Sequence, residues 1–396
     1  MKRYSVFAVA RNAMSYHQGW ERAWRTPEPK AEYDVVIVGA GPSGLACAMR
    51  LKQLDDSLNV CVIEKAAEIG RHILSGAVIE PEPLDRLVEG WRDDPPPICV
   101  PAKSDRFLWL TKTGKLPLMT PPQQNNHGNF IVSLGALCQW LAPKAEALGV
   151  DLFPGFAAAD LSYDDNDAVR GVIIGDMGVD REGNEKDSFV QGIEIRAAVT
   201  VLGEGCRGHL SKRAIAKYKL NADADPQTYS IGMKELWQLP EGRVDPGRIE
   251  HTIGWPLPPE IYGGSFIYHL DRNRVAIGFV CGLDYQDPNF MPFEAFQQFK
   301  HHPMMRELLD GGEILSSGAR ALVDGGYQSL PRVEMPGAIL IGDSAGLLNV
   351  PKIKGVHQAL RSGMLAAEHL AETRSAEGFD ARLRGSNVFA ELKQVR

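Results

Sequence analysis

The chain has 396 residues, of which 44% are hydrophobic, with a formal net charge of −7 and six cysteines. That supports a sizeable core in two or three domains, gives no basic footprint for nucleic acid, and contains no apolar run long enough to span a membrane. Cys47, Cys61, Cys99, Cys138, Cys206 and Cys281 are scattered without a CxxC or a pairing pattern, which favours reduced core thiols over disulfides or cluster ligands.

The first 30 residues differ from the rest. They carry Lys2, Arg3, Arg11, Arg22, Arg25 and Lys30 against only Glu21 and Glu28, with Tyr4, Phe7, Tyr16, Trp20 and Trp24 interspersed. A basic, acid-poor segment of this kind reads as a mitochondrial presequence or, equally, as an arm that docks on a partner.

From Tyr33 to Lys65 the residues read as a dinucleotide site. Val35 to Val38 are a continuous β-branched run, as in a strand buried on both faces of a parallel sheet, and a glycine-rich turn follows at once. Gly39 permits the sharp turn, Gly41 admits a pyrophosphate to the backbone N–H groups, and Gly44 lets the next helix pack on the strand. That helix, with Leu45, Ala48, Met49 and Leu51 at roughly helical spacing, directs its positive end at the phosphates. After the polar break Asp55-Asp56-Ser57, the strand Val60 to Ile63 ends at Glu64, whose carboxylate would accept from a ribose hydroxyl.

Phe107 to Leu110 and Leu116 to Met119 flank Lys112 and Lys115. Such a pair suits a surface that dips into lipid headgroups, and it suits equally a hairpin buried in the core. His72 and His127 invite a proton-transfer reading, although loop histidines that order a pocket are the simpler one. The strand Ala198 to Leu202 runs into Gly203-Glu204-Gly205-Cys206-Arg207-Gly208, another GxGxxG. The helix after it, around His209 to Lys219, leads into Asn221 to Pro226 and not into an apolar strand ending in an acid. The cluster therefore reads as a turn packed beneath the first nucleotide and not as a second nucleotide site.

Trp255 to Pro259, with Ile261 and Tyr262, form an apolar wall ending in the bare backbone of Gly263-Gly264, which by itself reads as a glycine bulge in a strand. Ser265 to Leu270 and Val275 to Val280 form a predicted hairpin around Asp271-Arg272-Asn273-Arg274, in an antiparallel sheet laid over the nucleotide. His301-His302 lies outside any acid or cysteine cluster and reads as a solvated helix feature. Ala338 to Ile341, a last short strand, ends in Gly342-Asp343-Ser344-Ala345-Gly346 before a helix from about Gly355 to Ala371. This element delivers a carboxylate to a polyol and a helix N-terminus to a ring edge. Flavin-binding oxidoreductases carry such a late Gly-Asp element, the Asp holding the ribityl chain, and simple nicotinamide dehydrogenases do not. The expected dinucleotide is FAD.

Long strings now identify a family. GRHILSGAVIEP at 70–81, NNHGNFIVSLG at 125–135, GEGCRGHL at 203–210, IGMKELWQLP at 231–240, GWPLPPEIYGGSFIYHL at 254–270 and GDSAGLLNVPKIKGVHQALRSGMLAAE at 342–368 stand in the sequence. From Gly41 onward the chain resembles electron transfer flavoprotein–ubiquinone oxidoreductase, while its first 40 or so residues are similar to the β subunit of heterotetrameric sarcosine oxidase. The main resemblance implies an α/β protein: a Rossmann-like FAD-binding domain of the glutathione-reductase and p-hydroxybenzoate-hydroxylase kind with an inserted antiparallel-sheet quinone domain. Expected boundaries are a basic arm at 1–32, the FAD domain at 33–106, 125–210 and 329–373, the quinone- and membrane-facing domain at 107–124 and 221–328, and a helical tail at 374–396.

The resemblance further implies cofactor contacts at Gly39, Gly41, Pro42, Ser43, Gly44, Glu64, Lys65, Arg71, Gly205, Gly342, Asp343 and Asn349, and a quinone carbonyl at the backbone of Gly263 and Gly264. Reduced electron transfer flavoprotein would be the donor and ubiquinone the acceptor. The setting would be peripheral on the inner membrane, at the bacterial cytoplasmic or mitochondrial matrix face. Arg71 and Val356 depart from the family, which often has a small residue and a Ser or Thr there; Arg71 would add positive charge near the flavin ring or clash with it. Family members also carry a later segment with the cysteines of a [4Fe–4S] cluster, which needs four thiolates, while the six cysteines here lie in segments assigned to other strands and helices. The expectation is an FAD protein without iron–sulfur and impaired in electron entry. Alternatives are an FAD amine oxidase of the sarcosine type, a non-catalytic FAD-binding subunit that docks on an iron–sulfur partner, and a reductase of prenyl chains.

Overall fold

The computed structural model describes residues 27–73, 76–180 and 184–395, so most of the basic N-terminal arm and its aromatic residues lie outside the described part. The chain opens with β1 (Glu28–Val38), α1 (Pro42–Leu54) and β2 (Val60–Glu64). Next come β3 (Ala77–Ile79), α2 (Glu82–Leu87), β4 (Cys99–Pro101) and the hairpin of β5 (Ser104–Leu110) and β6 (Lys115–Leu118). After β7 (Phe130–Val132), α3 (Leu134–Ala147) and β8 (Asp151–Pro154), the strands β9 (Ala158–Tyr163), β10 (Val169–Ile174), β11 (Met177–Val179) and β12 (Glu185–Val190) lead to β13 (Ile193–Leu202) and α4 (His209–Lys217). Then follow β14 (Tyr229–Gln238), β15 (Arg248–Gly254), β16 (Gly263–His269), β17 (Arg274–Gly282), α5 (Pro292–Lys300), α6 (Pro303–Leu309) and β18 (Glu313–Val323). The chain returns through β19 (Glu334–Met335) and β20 (Ala338–Leu340) to α7 (Val356–Thr373), α8 (Phe379–Arg384) and α9 (Asn387–Gln394).

The first sheet runs β19-β20-β13-β1-β2-β8, with β10 and β9 added beside β13. Its four central pairings are parallel, as the fully buried run Val35 to Val38 requires, since a strand covered on both faces has no solvent side to make polar. β1 begins five residues before Tyr33: Glu28 pairs with Ile193 and Glu32 with Arg196, so the end of the expected arm is strand. α1 and α7 pack against one another where small residues allow it; a Cβ on Gly363 would lie 2.2 Å from the Ser43 carbonyl oxygen.

The second sheet runs β18-β14-β17-β16-β15-β5-β6 and draws only on residues 104–118 and 229–323. All its pairings are antiparallel except β15 with β5. One face, with Met233, Ile267, Ile277, Phe279 and Cys281, packs on Phe296 and Phe299 of α5 and Met305 of α6. The opposite face carries Phe266, Tyr268 and Ala276 and packs with Val78 and Ile131 of the small sheet β3-β7-β4.

The hairpin of β5 and β6 is buried on one side and exposed on the other. Leu108 and Leu110 are buried in the second core, while Trp109, Leu116, Leu118 and Met119 face outward, Met119 at 91% exposure. Its turn is held from behind: buried His302, at the N-terminus of α6, accepts from the Met304 N–H on Nδ1 and directs Nε2 at the carbonyls of Thr111 (3.1 Å) and Gly114 (3.3 Å). The expectation of a solvated His301-His302 pair is therefore corrected for His302, which has no solvated face because two elements close over it.

A charge cluster docks the last helix. Glu391 of α9 accepts from Asn349 (2.7 Å), His357 (2.8 Å) and Arg361 (3.0 Å), and Lys352 lies 3.2 Å away. Burial alone would push this carboxyl up, but the His357 hydrogen bond and the surrounding positive charge outweigh it and hold the pKa at about 2. A carboxyl depressed from 4.5 to about 2 contributes about 3 kcal/mol that is fully present above pH 4.5 and is lost as pH falls towards 2. Glu391→Gln should lower the urea-unfolding free energy by about 2–3 kcal/mol at pH 7, and the gap to wild type should close between pH 4.5 and 2.

Candidate functional site

Three turns meet at the carboxyl edge of the first sheet, one each from β1, β13 and β20. Gly39 (φ +104°) places its would-be Cβ 2.5 Å from the carbonyl oxygen of Gly203, and the Gly203 N–H donates to Val38 at 2.9 Å. A Cβ on Gly44 would lie 1.9 Å from the Gly39 carbonyl oxygen, and one on Gly342 (φ +58°) 2.8 Å from Ser43 Oγ. Ser344 Oγ donates to the Gly205 carbonyl at 3.2 Å, and Ser362 Oγ accepts from the Gly342 N–H at 3.0 Å. Sequence-expected Gly39, Gly41, Pro42, Ser43, Gly44, Gly205, Gly342 and Asp343 are thus brought together.

Two of these glycines differ from the others. A Cβ on Gly41 or on Gly205 would meet no atom within 4 Å; Gly205 (φ +77°) is accounted for by its left-handed backbone, whereas neither packing nor backbone explains Gly41. Gly41 is also the extended N-cap of α1 (φ −78°), a backbone open to any residue, and Pro42 follows at the first helical position. Open space at the N-terminus of a helix is what a phosphate needs. Beside it, Glu64 accepts from the Ala40 N–H (3.1 Å) and the Ala66 N–H (2.8 Å), which fixes its carboxylate at the end of β2. The Asp343 carbonyl accepts from the Gly346 N–H at 3.1 Å, but its carboxyl has no hydrogen-bond partner among the described residues, and burial pushes its pKa up to about 6. A carboxylate left without donors in a cleft suits a ligand that brings hydroxyl groups. The donor set and the free space therefore fit a flavin dinucleotide.

The remaining expected contacts have these surroundings. Lys65 is exposed at the end of β2. Arg71 is also exposed and pairs with Glu68, three residues earlier, at 3.1 Å. Asn349 is fully buried, but its amide is engaged at both ends: Nδ2 donates to Glu391 and Oδ1 accepts from the Lys352 N–H at 3.1 Å. It orders the loop before α7, a role the isolated sequence could not reveal because Glu391 lies 42 residues away. His72 and His127 are exposed loop residues.

Gly263 and Gly264 open β16. A Cβ on Gly263 (φ +153°) would lie 2.2 Å from the Val280 carbonyl oxygen, and one on Gly264 2.4 Å from that of Thr252. The approach of neighbouring strands by itself demands glycine at both positions. Past them, at the same end of the second sheet, lies a cavity of about 330 Å³ that sequence reasoning missed. Its walls include Tyr229, Tyr262, Asp284, Asp324, Tyr327 and Val350. They come from separate chain segments with no shared motif.

Buried cations lie nearby. Lys354, between the Asp343 turn and α7, donates to the Lys352 carbonyl at 3.2 Å and is pushed down to about 8 by burial. Lys234 on β14 donates to the Gly76 carbonyl at 2.8 Å and is likewise pushed down to about 8. Glu80, His357 and Glu391 bring potential ligand atoms within 4.8 Å of one another, but Lys352 and Arg361 are already paired with both carboxylates, so fixed cations take the place of a metal ion.

Comparison with known proteins follows the same division. A family profile described as "ETF-QO, ubiquinone-binding" matches residues 229–322, the second sheet, and one described as "NAD(P)-binding Rossmann-like domain" matches residues 37–95. The mitochondrial electron transfer flavoprotein-ubiquinone oxidoreductase of Oryza sativa is 49% identical over 374 residues, 92% of this chain and 65% of that protein. Those of Rattus norvegicus and Homo sapiens are 48% and 47% identical over 365 residues, 90% of this chain and 59% of theirs. Among solved structures, a geranylgeranyl bacteriochlorophyll reductase-like protein from Thermoplasma acidophilum aligns with a TM-score of 0.66 at 17% identity, covering 92% of this chain and 83% of that one. The myxobacterial FAD-dependent halogenase CndH aligns with 0.64 at 17% identity over the same shares, and CtdE in complex with FAD with 0.59 at 16%, covering 92% of each chain. These distant likenesses establish the fold alone. Over about nine tenths of its length the chain is similar to the electron transfer flavoprotein–ubiquinone oxidoreductases, and it spans about three fifths of theirs.

Proposed function

We propose that the protein binds FAD in the cradle of three turns and passes electrons from reduced electron transfer flavoprotein to ubiquinone. The observation that carries this reading is the match of a ubiquinone-binding profile to the second sheet, at whose end a cavity opens close to the cradle. FAD supplies the two-electron redox chemistry when bound. The chain's own residues do the rest. The N–H groups at Gly41 and the start of α1 receive the pyrophosphate, Glu64 a ribose hydroxyl, and Asp343 the ribityl hydroxyls. Tyr262, next to Gly263-Gly264 in the chain, and the loop at Val350 enclose a quinone headgroup.

The donor is inferred from the names of the relatives. The family's [4Fe–4S] cluster has no part in this reading: Cys47, Cys61, Cys138 and Cys281 are buried on α1, β2, α3 and β17 respectively. A peripheral membrane position, at the inner membrane, fits the outward apolar side chains of the β5–β6 hairpin with Lys112 and Lys115 exposed beside them.

Three measurements test the reading. The FAD-loaded protein, reduced anaerobically and mixed with a short-tailed ubiquinone in a stopped-flow spectrometer, should be reoxidised rapidly, and Val350→Trp, which fills the cavity, should slow this about tenfold or more; slow reoxidation equal in both would refute the quinone site. Gly41→Ala should keep thermal stability close to wild type while losing bound flavin. Gly44→Ala should destabilise the fold itself by about 3 kcal/mol or more, because the new methyl meets backbone. For the membrane, Leu116→Glu combined with Met119→Glu should reduce co-sedimentation with phosphatidylglycerol-containing vesicles about tenfold, and unchanged sedimentation would remove the hairpin from that role.

A further inference from the structure

The cavity at the end of the second sheet holds two carboxylates that nothing in the fold requires. Asp324 follows β18 and Asp284 follows β17, so sheet pairing brings them to the same mouth. Asp324 is anchored: its N–H donates to the Thr228 carbonyl at 2.9 Å, and Ser230 Oγ donates to its Oδ2. Its Oδ1 has no hydrogen-bond partner among the described residues. Asp284 Oδ1 lies 2.8 Å, and the Tyr262 Cβ 3.6 Å, from one point, the position a Cβ on Gly282 would take. Neither carboxylate has a cation within ion-pair distance among the described residues. The other titratable groups facing Asp324 are the phenols of Tyr229, Tyr262 and Tyr327 and the thiol of Cys206. Arg207, next to Cys206, lies over the Tyr229 ring, 4.7 Å from its centroid.

Two unpaired carboxylates in a cavity walled by tyrosines, Leu348, Val350 and Pro351 are costly to ionise together. Burial, and then the charge of Asp284, push Asp324 up to about 6. It is thus protonated for a useful fraction of the time near neutral pH, while exposed Asp284 and Tyr262 keep the mouth in contact with water.

We propose that Asp324 is the acid that protonates a quinone oxygen in this cavity, with Asp284 as the neighbour that tunes it. The proposal rests on the quinone reading above and adds the residue that handles the proton. Reduction of a quinone to a quinol takes up two electrons and two protons. Bound FAD in its reduced form would supply both electrons and one of the protons. The second proton comes from the Asp324 carboxylic acid, whose O–H bond breaks as the quinone oxygen gains its own, and the carboxylate then recovers a proton from water at the mouth.

The test uses the FAD-loaded protein and its Asp324→Asn and Asp284→Asn variants. Each is reduced anaerobically and reoxidised in separate experiments by a short-tailed ubiquinone and by ferricyanide, which accepts electrons without protons, from pH 5 to 8. Wild type should slow with ubiquinone as pH rises through about 6, and Asp324→Asn should be about 100-fold slower and lose that dependence. All three proteins should agree within about twofold with ferricyanide. Asp284→Asn should retain a pH dependence and move its midpoint to lower pH. Independently of turnover, infrared titration of the oxidised protein should show a protonated-carboxyl band that disappears near pH 6 and is missing in Asp324→Asn. If wild type reacts rapidly with ferricyanide but not with ubiquinone, the quinone reading and this proposal both fail. If ubiquinone reduction is rapid and its pH profile is the same in wild type and Asp324→Asn, the proton role alone fails.

Discussion

Backbone touching backbone at the edge of the first sheet is the constraint on which the rest depends. The turns after β1, β13 and β20 approach so closely that the Gly39 and Gly203 carbonyls and Ser43 leave no room for side chains at Gly39, Gly44 or Gly342. This contact fixes the origin of α1, and through the close crossing at Gly363 it fixes α7 as well. A packed core is poorly deformable, so the open volumes above Gly41 and Gly205 are held in shape by neighbours that cannot retreat.

Charge holds the opposite side. The loop that carries Leu348 to Lys354 has little apolar anchoring of its own, and its position depends on Asn349, Lys352 and the helix α9 through Glu391. The cavity wall at Val350 and Pro351 is therefore set by a helix that contributes to the first sheet's layer, so the geometry of the second sheet's mouth is determined partly from outside that sheet.

Much of the first sheet was legible in the sequence because its signals are local. A β-branched run, three glycines and an acid all lie within Val35 to Glu64, where spacing alone encodes the geometry. The late Gly342-Asp343 element could be recognised for the same reason. What the sequence hid was non-local. The Glu391 carboxylate that takes the Asn349 amide lies 42 residues away, and Thr111 in the hairpin turn that closes over His302, which reads as solvated from sequence, lies 191 residues away. The cavity residues were invisible because six separate chain segments form it, and no periodicity connects Tyr229, Tyr262, Asp284, Asp324, Val350 and Leu392. Gly263 and Gly264 show the reverse: their glycine character needs no ligand once the Thr252 and Val280 carbonyls are seen beside them.

The bridge from His302 to Thr111 and Gly114 has a consequence for the outward hairpin. A loop tip that fluctuates must give up conformational freedom when it meets another phase, at about 1–2 kcal/mol for each backbone residue ordered. Here the turn is already tied to the start of α6 through two carbonyls, and Leu108 and Leu110 hold the strand from beneath. Trp109, Leu116, Leu118 and Met119 are presented on a frame that is ordered beforehand, so transfer of those side chains out of water would be opposed by little loss of backbone entropy.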